Sequence, residues 1–146
     1  MHPYPHTYHA AAAADVSGPV AVTSAELPRL ETAAPPEFDG PGGFWSPETL
    51  LCASLADCFI LTFRAVSRVA RLKWVRLECR VEGILERVER TSQFTRFTTI
   101  ANLIVPAGTN VDAARKLLEQ AEHGCLIANS LRSARSLETQ VVVNDH

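Results

Sequence analysis

The chain has no apolar run long enough to read as a bilayer span. Its longest, Leu50 to Phe63, is 14 residues and contains Asp57, short of the ~20 residues a spanning helix needs. No positively charged start precedes an apolar core, so no secretory leader is read at the N-terminus. These absences predict a soluble cytoplasmic protein with no membrane partner. The net charge is only −2, and no basic cluster is interleaved with aromatics, so nucleic acid is not an expected partner. Cysteine is sparse, four in 146 residues. In a reducing compartment these are expected as thiols rather than as a disulfide framework. Metal-ligand spacing is lacking too. His123 and Cys125 have no further ligands nearby in sequence, and His2, His6 and His9 lie in a Pro- and His-rich start that reads as loose over residues 1–9. No metal and no cofactor is expected, and no internal repeat is visible.

What is present is enough for a real core. A length of 146 residues with 47% hydrophobic composition fits one globular domain, 1–146. Charge is uneven: residues 1–45 carry five acids and one base, and residues 64–96 carry nine bases and four acids. That asymmetry suits contact between the two regions, within a chain or across a dimer.

Ala10–Ala14 favours helix by propensity. Val20–Val22 and Leu27–Thr32 read as short strands, and Pro35 to Ser46 as a loop by its Pro and Gly content. Ser46-Pro47-Glu48 is a helix start: Ser caps, Pro fits the first helical position, and Glu complements the positive helix end. The helix is expected to run to about Arg71, with Arg64, Arg68, Arg71 and Lys73 at its end. It is apolar on most sides through Phe63 and so is expected to be buried nearly all round. Val75, Leu77, Cys79 and Val81 alternate with Arg76, Glu78, Arg80 and Glu82, a half-buried strand. A second strand, Ile84–Arg90, follows Gly83 as a bend or bulge. Thr91-Ser92-Gln93 reads as the turn into a strand over Phe94–Val105. A second helix is expected from Val111 to His123 with Gly124 as its stop, then a short helix Leu126–Arg132 and a strand Leu137–Val143. The order predicts an α+β fold with a largely antiparallel sheet.

Two cysteines invite a chemical reading. Cys58 lies in the apolar helix run LADCFIL, and Cys125 in HGCLIANS just past a helix end. A thiol in an apolar wall, with a second thiol able to reach it, is the minimum equipment for two-electron peroxide reduction. The attacking group must be thiolate, and a free cysteine is only a few per cent ionised at neutral pH. The helix neighbours of Cys58 are Ser54, Leu55, Leu61 and Thr62, none a cation, so any helper must come from elsewhere in the fold. Glu48 lies ten residues earlier, about 15 Å along a helix axis. It can serve a partner's Cys58 if two such helices pack antiparallel. Plainer readings stand beside these. Cys52 and Cys79 read as core residues, Cys125 as C-cap packing, Glu48 as a helix-dipole residue, and the basic helix end as a solvated face.

The segment Ser46–Phe59, SPETLLCASLADCF, resembles the signature of the OsmC/Ohr family of hydroperoxide-reducing proteins. That pattern is Pro-Glu after a small or polar residue, a Leu- and Ala-rich helix, then Ala-x-Cys-Phe. The upstream PPEFDGPGG is similar to the family's loop before this helix. CLIANSL at 125–131 is similar to its second motif, Cys-Pro-x-Ser-Asn-Ala, with Leu126 in place of Pro. The resemblance covers roughly residues 7–143 and implies an OsmC-like fold, antiparallel sheets wrapped around a long central helix in an intertwined homodimer. It implies Cys58 as peroxidatic thiol, Cys125 as resolving thiol and Glu48 as a catalytic carboxylate. An organic hydroperoxide would be the substrate and a dithiol the reductant, with Phe44, Trp45, Phe59 and Phe63 as apolar substrate walls. Hydroperoxide-resistance members carry an early arginine near a Gly-rich turn that pairs with the helix-start glutamate. Here that neighbourhood reads Val16-Ser17-Gly18-Pro19, and Arg29, about ten residues later, is the candidate substitute. The sequence therefore carries two functional readings, a thiol peroxidase for organic hydroperoxides and a non-enzymatic redox-responsive or ligand-binding dimer. A structural domain with core cysteines is the third.

Overall fold

A computed structural model describes residues 1–144. The chain forms two compact units, residues 1–51 and 52–146.

In the first unit, residues 1–10 are exposed and carry no regular element. Strands β1 (Ala11–Ala13), β2 (Val20–Thr23) and β3 (Leu30–Thr32) form a three-stranded antiparallel sheet. The alanine run is therefore strand, not helix. Its backbone pairs with Ala21, Val22 and Thr23, and Gly18, at φ 92°, lets the chain reverse between β1 and β2. Cross-strand pairing here overrides a weak local preference. A 3-10 turn, Pro36–Phe38, interrupts the predicted loop.

Helix α1 runs Pro47–Val69, two residues short of the expected end. Its start is as read from the sequence: the Thr49 N–H donates to Ser46 Oγ at 3.1 Å, and the Ser46 N–H donates to Thr49 Oγ1 at 2.9 Å. The expectation of all-round burial fails. Only Leu55, Phe59, Phe63 and Ser67 are buried, a single stripe at four-residue spacing, and Leu61 and Val69 are exposed. One chain has only one core to offer this helix.

In the second unit, β4 (Arg76–Val88) and β5 (Thr91–Pro106) pair antiparallel, and β6 (Ala134–Asn144) pairs parallel to β5. The two expected strands around Gly83 are one, with the irregularity between Ile84 and Leu85 rather than at Gly83. The turn is also displaced. Thr91, Ser92 and Gln93 pair with Val88, Arg87 and Glu86, while Glu89 and Arg90 turn the chain at φ 50° and 71°. Two consecutive positive-φ residues fit a two-residue hairpin turn whose twist matches the flanking strands. The parallel β5–β6 pair requires a crossover, supplied by α2 (Val111–Gly124) and α3 (Leu126–Asn129). The Asn110 side chain caps α2, accepting from the Ala113 N–H at 3.0 Å. Phe59 and Phe63 of α1, Leu77 of β4, Leu103 and Val105 of β5, and Leu118 of α2 meet in one core.

Candidate functional site

Cys58 projects from the middle of α1 and is half-buried; Cys125, between α2 and α3, is 1% exposed. Both thiols are free, as are Cys52 and Cys79. The two thiols lie close enough for Cys58 to act on the ionisation of Cys125. Residues 67 positions apart in sequence are brought together because the end of α2 runs hard against α1. A Cβ added to Gly124 would lie 3.3 Å from Thr62 Cγ2, so glycine allows the close approach one residue before Cys125 and one helical turn after Cys58.

The donors around the pair are few. Thr62 Oγ1 lies 3.9 Å from Cys58 Sγ, but its hydroxyl donates to the Cys58 carbonyl at 2.7 Å. It is thus turned away from donating to sulfur. The Cys125 thiol is pushed up to about 11, first by burial and then by the neighbouring Cys58 and Glu122; the Ala128 backbone opposes this. Cys125 therefore holds its proton at neutral pH.

Cys79, on the core face of β4, is pushed up to about 12 by burial, then by Glu122 and Cys125. Cys52 is raised by burial, against a backbone bond from Gly83. Both fit the reading of core thiols. Gly83 has a packing reason: a Cβ there would stand 2.8 Å from a Phe97 ring atom, 2.9 Å from one of Phe94 and 3.0 Å from Cys52 Sγ.

Of the other sequence candidates, Glu48 stands in the first turn of α1. Arg29 is exposed and paired with Glu31 at 3.8 Å. Phe44 and Trp45 are exposed at 41% and 49%, and Trp45 bridges Thr32. Phe59 and Phe63 lie in the core, with Phe63 edge-on to Trp74 at 5.4 Å between ring centroids. Among the described residues, no group of three or more His, Cys, Asp or Glu is placed to hold a metal.

A second cluster adjoins the thiols, and no local pattern in the sequence signalled it. The Arg135 guanidinium, on β6, donates from Nε to Glu122 Oε1 at 2.9 Å and from Nη1 to Asn129 Oδ1 at 2.8 Å. Its Nη2 donates to the Glu122 carbonyl. The Glu122 and Arg135 side chains are 14% and 29% exposed, so this ion pair is far drier than the surface pairs of Arg29, Arg76 and Arg80.

A family model described as OsmC-like protein matches residues 40–140. The chain belongs to the OsmC family. An uncharacterized protein of Bacillus subtilis, YmaD, is 25% identical over 112 residues, 75% of each chain. An OsmC-like protein of unknown function from Vibrio cholerae shares the fold with a TM-score of 0.84 at 17% identity, over 93% of this chain and 100% of that one. The organic hydroperoxide resistance protein OsmC of Legionella pneumophila is 26% identical, with a TM-score of 0.75 over 96% of this chain and 99% of that one. The OsmC-like α+β architecture, two sheets and a long helix, is thus that of the solved OsmC structures.

Proposed function

We propose that this OsmC-family chain is a cysteine-based thiol peroxidase that reduces organic hydroperoxides to alcohols. The observation that carries the reading is the proximity of Cys58 and Cys125, set by the close approach of Gly124 to Thr62, one residue from one thiol and one helical turn from the other. The Cys58 thiolate attacks the terminal peroxide oxygen. The O–O bond breaks, the alkoxide leaves and takes a proton as the alcohol, and Cys58 becomes a sulfenic acid. Cys125 then attacks that sulfur, water leaves, and a Cys58–Cys125 disulfide forms. A dithiol restores both thiols by exchange. The Legionella relative's description as an organic hydroperoxide resistance protein supports the substrate class. The motif match supports Glu48 as a catalytic carboxylate, and Arg29 is the candidate substitute for the family's early arginine. Phe44 and Trp45 are the exposed candidates for apolar substrate contact, whereas Phe59 and Phe63, buried in the core, are not open to a substrate within one chain. The test is turnover: with excess dithiol and an alkyl hydroperoxide, each chain should consume many equivalents. Consumption that stops at one equivalent favours the redox-responsive reading, which the pairing of Arg29 with Glu31 also suits.

The working unit in this proposal is a cytoplasmic homodimer, one domain per chain. Contrary to the reading from the Leu50–Phe63 run, α1 as a whole, Pro47–Val69, is by length and composition apolar enough to cross a membrane, and only 22% of its most apolar window is buried within the chain. Something must cover that surface. A second copy suits it better than lipid, because Asp57 sits mid-helix and exposed, and a carboxylate at a bilayer centre costs ~2.5–3.5 kcal/mol. Light scattering after gel filtration should give twice the mass of one chain without detergent. A monodisperse monomer would contradict the dimer.

A further inference from the structure

The Arg135 cluster is built around the segment that carries Cys125. The Glu122 carbonyl accepts from both the Arg135 guanidinium and the Cys125 N–H, the latter at 3.4 Å. On the far side, the Asn129 N–H donates to the Cys125 carbonyl at 2.9 Å, and Asn129 Nδ2 donates to the His123 carbonyl at 3.1 Å. Arg135 therefore grips the chain three residues before Cys125 and four residues after it. Its fork makes three bonds at once, which a lysine ammonium cannot reproduce in that plane. The carboxylate it pairs with also acts on Cys125 through space.

We infer that Arg135 is a positioning residue for disulfide closure, holding the α2–α3 connection on both sides of Cys125 and neutralising Glu122, so that the Cys125 sulfur meets an oxidised Cys58. The inference rests on the peroxidase reading for its physiological setting. In the step concerned, the Cys125 thiolate attacks the sulfur of the Cys58 sulfenic acid. An S–S bond forms, the S–O bond breaks, and the hydroxide leaves with the proton Cys125 gave up, as water. The Cys58 sulfur is reduced and the Cys125 sulfur oxidised.

The charged and titratable groups facing Cys125 are Cys58 on α1, Cys79 on β4, and Glu122 on α2 with Arg135 on β6 paired to it. His123 is exposed beside them. When Cys58 becomes a neutral sulfenic acid, its charge no longer opposes ionisation of Cys125, and Glu122 is the negative group left. With Arg135 in place that charge is balanced. Without it, a bare carboxylate pushes the Cys125 thiol up further, and each pKa unit removes about tenfold of the attacking thiolate.

The experiment reads closure by rapid quench and mass spectrometry, as a ratio to Cys58 oxidation in the same reaction, between pH 6 and 10. One equivalent of cumene hydroperoxide is the oxidant in one arm. Diamide, which activates a thiol without peroxide chemistry, is the oxidant in the other. Arg135→Ala should close about tenfold more slowly at pH 7, with its pH profile displaced to the alkaline side. Glu122→Gln should displace the profile to the acid side. Arg135→Lys, which keeps the charge and loses the fork, should close more slowly than wild type at every pH; it carries the test with Glu122→Gln if the alanine variant does not fold. Wild-type closure in Arg135→Ala and Arg135→Lys, or profiles of Arg135→Ala and Glu122→Gln that are not displaced in their expected directions, overturns the inference. Failure of the peroxide arm alone, with closure in diamide still sensitive to Arg135, counts against the peroxidase reading and leaves Arg135 its role.

Discussion

Replacing Cys58 with serine should abolish hydroperoxide consumption, a fall of roughly a thousandfold or more, because no other thiol in the chain can take over. Cys125 is 1% exposed and its thiol is pushed up to about 11, which leaves on the order of one part in ten thousand as thiolate at pH 7. Part of that elevation comes from Cys58 and vanishes with it, but burial is the largest cause and stays. Cys79, at about 12, is further out of reach, and Cys52 is also raised by burial. Residual peroxide, followed colorimetrically with excess dithiol, should stay at the level of the uncatalysed reaction. Consumption by Cys58→Ser at even a tenth of the wild-type rate would remove Cys58 from its role.

Phe63→Ala should cost about 3–5 kcal/mol of stability, the usual range for emptying a buried aromatic site. Phe63 is 0% exposed, stands edge-on to Trp74 at 69°, and belongs to the core that α1 shares with the sheet and α2. Trp74 is itself anchored, its Nε1–H donating to Ser67 Oγ at 3.0 Å, so it is not free to collapse into the vacated volume. The loss is a large part of the 5–15 kcal/mol that holds a domain of this size. Urea denaturation at one fixed protein concentration should show the midpoint falling sharply with little change in slope. A cost below about 1 kcal/mol would mean the Phe63 packing is not what joins α1 to the sheet. The same substitution separates stability from chemistry: folded Phe63→Ala should still oxidise at Cys58, since Phe63 offers packing and no charge.

The parts of this fold that were legible in the sequence are those with local causes. Ser46-Pro47-Glu48 announces α1 because capping acts over three residues, and the Ser46–Thr49 bonds are there. The alternation of Leu77, Cys79 and Val81 announces β4 because side chains alternate between sheet faces. Where neighbours distant in sequence decide, local reading failed. Ala11–Ala13 is strand because β2 pairs with it, and the hairpin turn sits at Glu89 and Arg90 rather than at the polar Thr91-Ser92-Gln93. The apolar length of α1 was visible, but its composition did not say which surface one chain would leave open.

The same division holds at the site. Nothing local joins Cys58 to Cys125; only the two motifs together, read as a family resemblance, suggested the pairing, and the Gly124–Thr62 approach explains it physically. Arg135 and Glu122 lie 13 residues apart on different elements, at a spacing that no helical or strand period marks. Their pairing exists only because the crossover through α2 returns the chain to β6 beside β5.

The most direct test of the central claim is intact-mass measurement of the reduced protein after one equivalent of an alkyl hydroperoxide, followed by peptide mapping without reductant. The account predicts a loss of two mass units, from the two thiol hydrogens, with the crosslink joining the peptides of Cys58 and Cys125. An unchanged mass, or a crosslink that leaves out either cysteine, would contradict it.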